Sequence, residues 1–193
     1  MKQLWLKRKA AYVTSSWGGG ETTEIFIYPE NGSYAKRQFS FRISSATVTQ
    51  NESLFSDLPG FDRYLMPLSN AITLLHDGQA EEKLAPFELA AFDGGLRTKS
   101  LGQCRDFNLM MNQQQGWRGQ VDVITQASIL NGSGLFTGFL ALDEQITLTS
   151  LKENFSFVLN KGDFLMIQSE SDYDVSVTCE QPHFKLIKMN VTK

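Results

Sequence analysis

The chain has 193 residues, a formal net charge of −3, 41% hydrophobic and 20% charged residues. That composition is globular rather than disordered, and the length suffices for one large all-β domain or two small ones. The absence of a basic block argues against nucleic acid as a partner, and no apolar run nears the roughly 18 residues of a membrane span.

In chain order, residues 1–9 (M-K-Q-L-W-L-K-R-K) have neither the apolar stretch nor the cleavage site of a secretory signal, so a cytoplasmic location is expected. Cys104 and Cys179 are far apart; a buried, reduced pair is the default reading and a disulfide the minority one. Leu4, Leu6 and residues 10–14 read as an opening strand or two. Trp17-Gly18-Gly19-Gly20 is a bend: glycine adopts backbone angles closed to other residues and allows close approach. The strand that follows, through Tyr28, alternates, with Thr22, Glu24, Phe26 and Tyr28 expected on one face.

Residues 29–35 (P-E-N-G-S-Y-A) form a turn. Residues 38–49 are the clearest strand, with Phe39, Phe41 and Ile43 on one face and Arg42, Ser44 and Ala46 on the other. Residues 51–62 read as a loop packed down by Phe55, Leu58 and Phe61. Strands are expected on either side of Ser69-Asn70, at 84–92 and at 103–111, with turns at Asp77-Gly78 and Asp93-Gly94-Gly95.

The polar, glycine-containing stretch 112–119 is the candidate boundary. Beyond it, short strands are expected at 121–128, 135–142, 145–148, 154–159, 163–168, 173–179 and 183–191, with a turn at 131–134. Strands at intervals of roughly 8–12 residues argue an antiparallel sandwich or barrel. A faint echo, L-x-P-F-E-L-x-x-F around Phe87 against L-x-K-G-D-F-L-M-I around Phe164, suggests two similar halves.

Taken together and in order, W-G-G-G-E-T-T-E-I-F-I-Y-P, F-R-I-S-S-A-T-V, F-S-D-L-P-G-F-D-R-Y-L, F-E-L-A-A-F-D-G-G and R-D-F-N-L-M resemble the HutD/Ves family in its Gram-positive form, from Trp17 to Met111. The resemblance implies a bicupin: two jelly-roll-like antiparallel β-barrels of the RmlC-like cupin kind. One spans residues 1–115 with the family motifs, the other 116–193, with strands free to exchange across the boundary. It also implies a regulator or ligand-binding accessory associated with histidine utilisation, rather than a pathway enzyme.

The residues offer little conventional catalytic chemistry. His76 and His183 are more than a hundred residues apart with no H-x-H, which argues against a metal site. His76 reads as turn-flanking and His183 as exposed. No nucleophile–base pair is evident. The three glycines lack the G-K-[ST] and helix of a phosphate loop. No cofactor is expected.

What stands out is three polar pairs at spacing two: Thr22/Glu24, Arg42/Ser44 and Asp106/Asn108. Each pair shares a sheet face with apolar neighbours, the mixture found in small-ligand pockets rather than on solvated faces. The expected site has Arg42 gripping a carboxylate bidentately. Glu24, Asp106 and Asn108 hold donor groups or lock Arg42, Arg63 is a second cation, and Trp17 is an aromatic wall. The alternative is a buried Arg42 ion pair with Glu24 or Asp106 that orders the sheet.

The leading function is thus a non-catalytic, small-molecule-binding bicupin, a sensor or governor of amino-acid catabolism. Its ligand is expected to be a small anionic metabolite resembling urocanate or formiminoglutamate. A metal-independent isomerase, epimerase or lyase using Glu24 or Asp106 as base is one alternative. A protein–protein module, built as a homodimer on apolar strand faces, is another. The second half has fewer polar pairs and is expected to be filled core.

Overall fold

The computed structural model describes residues 3–132 and 135–193. Among them are no α-helices, only short 3₁₀ turns at Lys9–Ala11 and Gln113–Gln115. Among the described residues no helix is long and apolar enough to cross a membrane. The strands are β1 (Gln3–Lys7), β2 (Val13–Trp17), β3 (Gly20–Tyr28), β4 (Phe41–Val48), β5 (Glu52–Leu54), β6 (Phe61–Pro67), β7 (Ile72–His76), β8 (Glu82–Leu84), β9 (Ala90–Asp93), β10 (Thr98–Leu101) and β11 (Asp106–Asn112). They continue with β12 (Arg118–Ile124), β13 (Ser128–Gly132), β14 (Phe136–Ala141), β15 (Ile146–Ser150), β16 (Phe155–Leu159), β17 (Phe164–Gln168), β18 (Tyr173–Thr178) and β19 (Leu186–Thr192).

Two compact units result. The first is Tyr12–Trp117; the second joins the residues up to Ala11 to Arg118–Lys193. The first contains the sheets β2-β3-β4-β11-β6-β9 and β5-β10-β7-β8, and the second β1-β17-β14-β19-β12 and β13-β18-β15-β16. All the ladders are antiparallel.

Counting each unit's eight shared strands from β4 or from β12, the orders are 1-8-3-6 and 2-7-4-5 in both. That is a jelly roll, two four-stranded sheets wound as Greek keys. The expected jelly-roll-like barrels are open: in each unit the two sheets remain separate among the described residues. The core lies between facing sheets rather than inside a continuous cylinder.

The echo marks a real structural repeat. Leu84 ends β8 and Leu159 ends β16, each followed by a tight turn into β9 or β17. Within the turns, Phe87 and Gly162 hold the matching left-handed position, with φ 71° and 91°. Glu88 accepts from the Ala85 N–H at 2.8 Å, and Asp163 accepts from the Asn160 N–H at 3.0 Å. The single strand expected over 84–92 is therefore the end of β8, this turn and β9. Strand β10 went unforeseen, and Asn131 and Gly132, expected in a turn, close β13 instead. The rest of that expected turn, Ser133-Gly134, lies outside the described residues.

Strand β3 carries a second departure. Its register against β4 shifts between Glu24 and Phe26. One extra residue in one strand reverses which side chains face the core. Thr22 and Glu24 keep the inner face, Ile27 replaces Phe26 there, and Phe26 and Tyr28 turn to the other side. They stack on Phe41, with ring centroids 5.9 and 5.3 Å away. Trp117 closes that aromatic layer, 5.6 Å from Phe41.

The glycine bend is a two-residue hairpin between β2 and β3, with Trp17 paired to Gly20. The indole lies over Gly19, and a Cβ on Gly20 would overlap the Thr47 carbonyl of β4. Gly20→Ala is expected to destabilise the protein by about 2–4 kcal/mol, because the overlapped atoms are backbone and cannot yield. A shift in the urea midpoint at constant slope checks it.

Both cysteines are free. Cys104 is buried, as expected, but Cys179 is only half-buried. His183 is exposed, whereas His76 is a buried side chain at the end of β7, its Nδ1 2.8 Å from Thr98 Oγ1.

Candidate functional site

The inner face of the large sheet in the first unit can be read row by row from its ladders. One row is Ile27–Arg42–Met110–Arg63–Phe92; the next is Glu24–Ser44–Asn108–Leu65–Ala90. Every residue of β11 is buried. Its polar side chains therefore do not form a solvated face: Asp106 and Asn108 are 5% and 6% exposed, and Arg42 and Arg63 are 5% each.

Between this face and the opposite sheet the core divides. One apolar cluster contains Leu65, Ile72, Leu74, Leu84 and Ala90; another contains Ile27, Phe39, Leu58, Phe61 and Met110. The same unit holds a hollow of about 280 Å³. That is just below the ~300–1,000 Å³ of drug-sized pockets, so it suits a small metabolite. Of the eight residues singled out from sequence, Trp17, Thr22, Arg42, Ser44, Arg63, Asp106 and Asn108 line it. Glu24 does not; it reaches the site through Arg42.

Arg42 donates from Nε to Glu24 Oε2 at 2.7 Å, and its guanidinium lies 4.3 Å from the Tyr34 ring centroid. Arg63 is differently placed. It lies over Phe55 at 4.6 Å and Phe92 at 5.6 Å, with a 3.4 Å contact from Nη1 to the Ser56 carbonyl. Its buried Nε has no hydrogen-bond partner. Burial lowers its pKa to about 10, opposed by Tyr34 and Asp106, so it remains a cation at neutral pH.

Asp106 accepts the Ala46 N–H at 2.7 Å. Burial still pushes its carboxyl up to about 6, against the pull of that N–H and of Arg63 and Arg105. Asn108 leaves Oδ1 buried without a partner. The site therefore offers an unpaired donor on a cation and an unpaired amide acceptor, each of which would be costly to leave empty. Trp17 stands at the mouth, 40% exposed, donating from Nε1 to Thr22 Oγ1 at 3.1 Å.

Tyr34, Phe55 and Ser56 also line the hollow and were not foreseen. Tyr34, from the 29–35 turn, packs under Arg42. Its pKa is lowered: burial works against this, but hydrogen bonds to Ser56 and Arg37 and the charge on Arg63 outweigh it. Phe55 and Ser56 come from the packed-down loop, whose apolar content was the signal for them. Met110, expected on the same face as Asp106 and Asn108, lines the hollow with them.

No three His, Cys, Asp or Glu side chains gather as metal ligands among the described residues. Burial first, then Asp106, pushes the Cys104 thiol up to about 12, which suits packing rather than nucleophilic attack.

The sequence profile of the HutD family matches residues 9–184. An uncharacterized 21.2 kDa protein in the hutC 3′ region of Pseudomonas putida is 33% identical over 121 residues; the match spans 60% of this chain and 62% of that protein. HutD from Pseudomonas fluorescens SBW25, in a structure described as a formate condition, superimposes with a TM-score of 0.81 at 21% identity, covering 98% of each chain. A cupin 2 conserved barrel domain protein from Leptotrichia buccalis is similar in fold, with a TM-score of 0.58 at 10% identity over 93% of this chain and 92% of that one. The fold is cupin-like.

Proposed function

The chain belongs to the HutD family, and from the chemistry of its hollow we propose that it is a non-catalytic bicupin whose first unit binds a small carboxylate. The observation that carries this reading is that Arg63 and Asn108 both line the hollow, and that the buried Nε of the one and Oδ1 of the other have no partner. A carboxylate satisfies the guanidinium, and an N–H or O–H elsewhere on the ligand satisfies the amide oxygen. Arg42, already engaged by Glu24, adds positive charge rather than an empty fork. A short acid with a donor at its far end, of the urocanate or formiminoglutamate kind, has both features and suits the volume.

The proposed role is a sensor or governor of amino-acid catabolism. The Pseudomonas putida relative's place beside hutC supports a link to histidine utilisation. A second reading is an enzyme with Asp106 as general base, favoured by its pKa of about 6, near the range in which bases work.

Calorimetric titration with formate, urocanate and formiminoglutamate tests both readings. The expected result is saturable binding with the compound recovered unchanged by NMR. Conversion of the bound compound would establish the enzyme instead, and silence with all three would remove the carboxylate site.

A further inference from the structure

The shared strand order allows the inner face of one unit to be read against the other. The repeated turns align β9 with β17, so Phe92 corresponds to Ile167 and Ala90 to Leu165. Along the ladders, the row Phe92–Arg63–Met110–Arg42 then corresponds to Ile167–Thr137–Asn190–Gln120. The row Ala90–Leu65–Asn108–Ser44 corresponds to Leu165–Phe139–Lys188–Asp122. The station of Arg63 is thus held by Thr137, and that of Asn108 by Lys188.

Most of this second core is apolar and filled, by Phe139, Ile146, Leu148, Leu165, Val175 and Leu186 among others. Its polar corner is not satisfied. Asn190 Oδ1 is buried without a hydrogen-bond partner, and Thr137 Oγ1 and the Tyr173 hydroxyl are buried with no partner beyond each other. These residues are 9%, 0% and 2% exposed. Thr137 and Asn190 are directly opposed across β14 and β19. Burial pushes the Tyr173 hydroxyl up to about 12, with the nearby Thr137 hydroxyl opposing and Glu153 reinforcing.

Lys188 lies one row along on the same face and is 9% exposed. Asp122, opposite it, takes its hydrogen bonds from Gln120 Nε2 at 3.1 and 3.2 Å, and Lys188 has no ion pair among the described residues. A packed core has no use for an orphaned amide oxygen and two hydroxyls with only each other beside an unpaired ammonium, since each carries a desolvation penalty with little in return.

We propose that Thr137, Tyr173, Asn190 and Lys188 form a second small-molecule site, in the C-terminal unit, for a short hydroxylated carboxylate. The Thr137 and Tyr173 hydroxyls donate to the carboxylate, Lys188 supplies the charge, and Asn190 Oδ1 accepts the ligand hydroxyl. With one ammonium in place of two guanidiniums, it lacks the bidentate fork of the first unit and selects by hydroxyl instead.

Titration of the full chain with D-glycerate, followed by backbone amide NMR, tests this, with propionate as the analogue lacking hydroxyls. Saturable movement of the Thr137, Tyr173 and Asn190 resonances is expected, with glycerate at least about tenfold tighter than propionate. Thr137→Val and Lys188→Met should each weaken glycerate about tenfold or more. Movement of the Thr137, Tyr173 and Asn190 resonances reports the C-terminal unit alone, so that failure here is distinct from failure of the first site, which resonances around Arg42 and Arg63 report.

The proposal is overturned if those resonances stay still, or if only resonances around Arg42 and Arg63 move. Equal affinity for the two acids, or wild-type glycerate binding by folded Thr137→Val, overturns it too, leaving these oxygens to ordered water. If Thr137→Val does not fold, the glycerate–propionate comparison on the unaltered chain still decides.

Discussion

Arg63→Met is expected to weaken carboxylate binding in the first unit by about 100-fold or more, equivalent to about 2.7 kcal/mol, without lowering the melting temperature. The two effects separate because Arg63 contributes little to the folded state. Its charge is buried, its Nε is unpaired, and its contacts are with the faces of Phe55 and Phe92. Methionine keeps similar volume and a favourable sulfur–aromatic contact while removing a buried charge, an exchange that is often neutral or stabilising. Arg42→Ala should behave in the opposite way. It removes the 2.7 Å ion pair and the stack on Tyr34, and should cost about 1–3 kcal/mol of stability. The loss is moderated because the Glu24 side chain is 35% exposed and regains water. Melting curves and calorimetry on both variants check the contrast. A large drop in stability for Arg63→Met with unchanged affinity would make Arg63 a structural cation.

Asp106→Asn is expected to remove a pH dependence from both stability and binding. In the folded chain the Asp106 carboxyl titrates near 6, against 3.8 unperturbed. The folded state therefore binds the extra proton between those values. Its contribution is complete below about pH 4 and is lost as pH rises through about 6, for a total of about 2–3 kcal/mol. The variant should lack that decline. Its amide can still accept the Ala46 N–H, so the local hydrogen bond survives. The anion should also bind more tightly at pH 5 than at pH 7.5 in the unaltered protein, since a neutral Asp106 no longer repels it. The same affinity at both pH values would place Asp106 outside the ligand's reach. Removing Arg63 should raise the Asp106 pKa further, because that cation is one of the groups holding it down.

Much of this site was legible because strand alternation is a local signal. Arg42/Ser44 and Asp106/Asn108 each announce a shared face by their spacing, and pairing of β4 with β11 brings those faces together. Tyr34 and Phe55 were not legible as site residues, since long-range packing decides where a loop side chain lands. The bulge in β3 was invisible for another reason: alternation assumes one residue per step, and nothing in T-T-E-I-F-I-Y marks Ile25 as the additional residue. The polar corner of the second unit carried the same spacing-two signal, in Gln120/Asp122 and Lys188/Asn190. With fewer such pairs than the first half, the second half reads from sequence as filled core. Whether the barrels close is a matter of topology, and jelly-roll order does not require the sheet edges to meet.

The partition of strands between the units bears on synthesis. Tyr12–Trp117 is contiguous and can assemble as soon as it emerges from the ribosome. Strand β1, made first, pairs with β17 and must wait for more than 150 residues of chain. Until then its leucines, Leu4 and Leu6, are open to any other nascent strand, and the cationic run Lys7-Arg8-Lys9 stands beside them as a guard against mispairing. Once the late strand arrives, Arg8 and the Lys9 backbone are drawn onto Asp163 at 2.7 and 3.0 Å. Arg8, one of the charges that protect the waiting segment, thus becomes part of the clasp that fastens it.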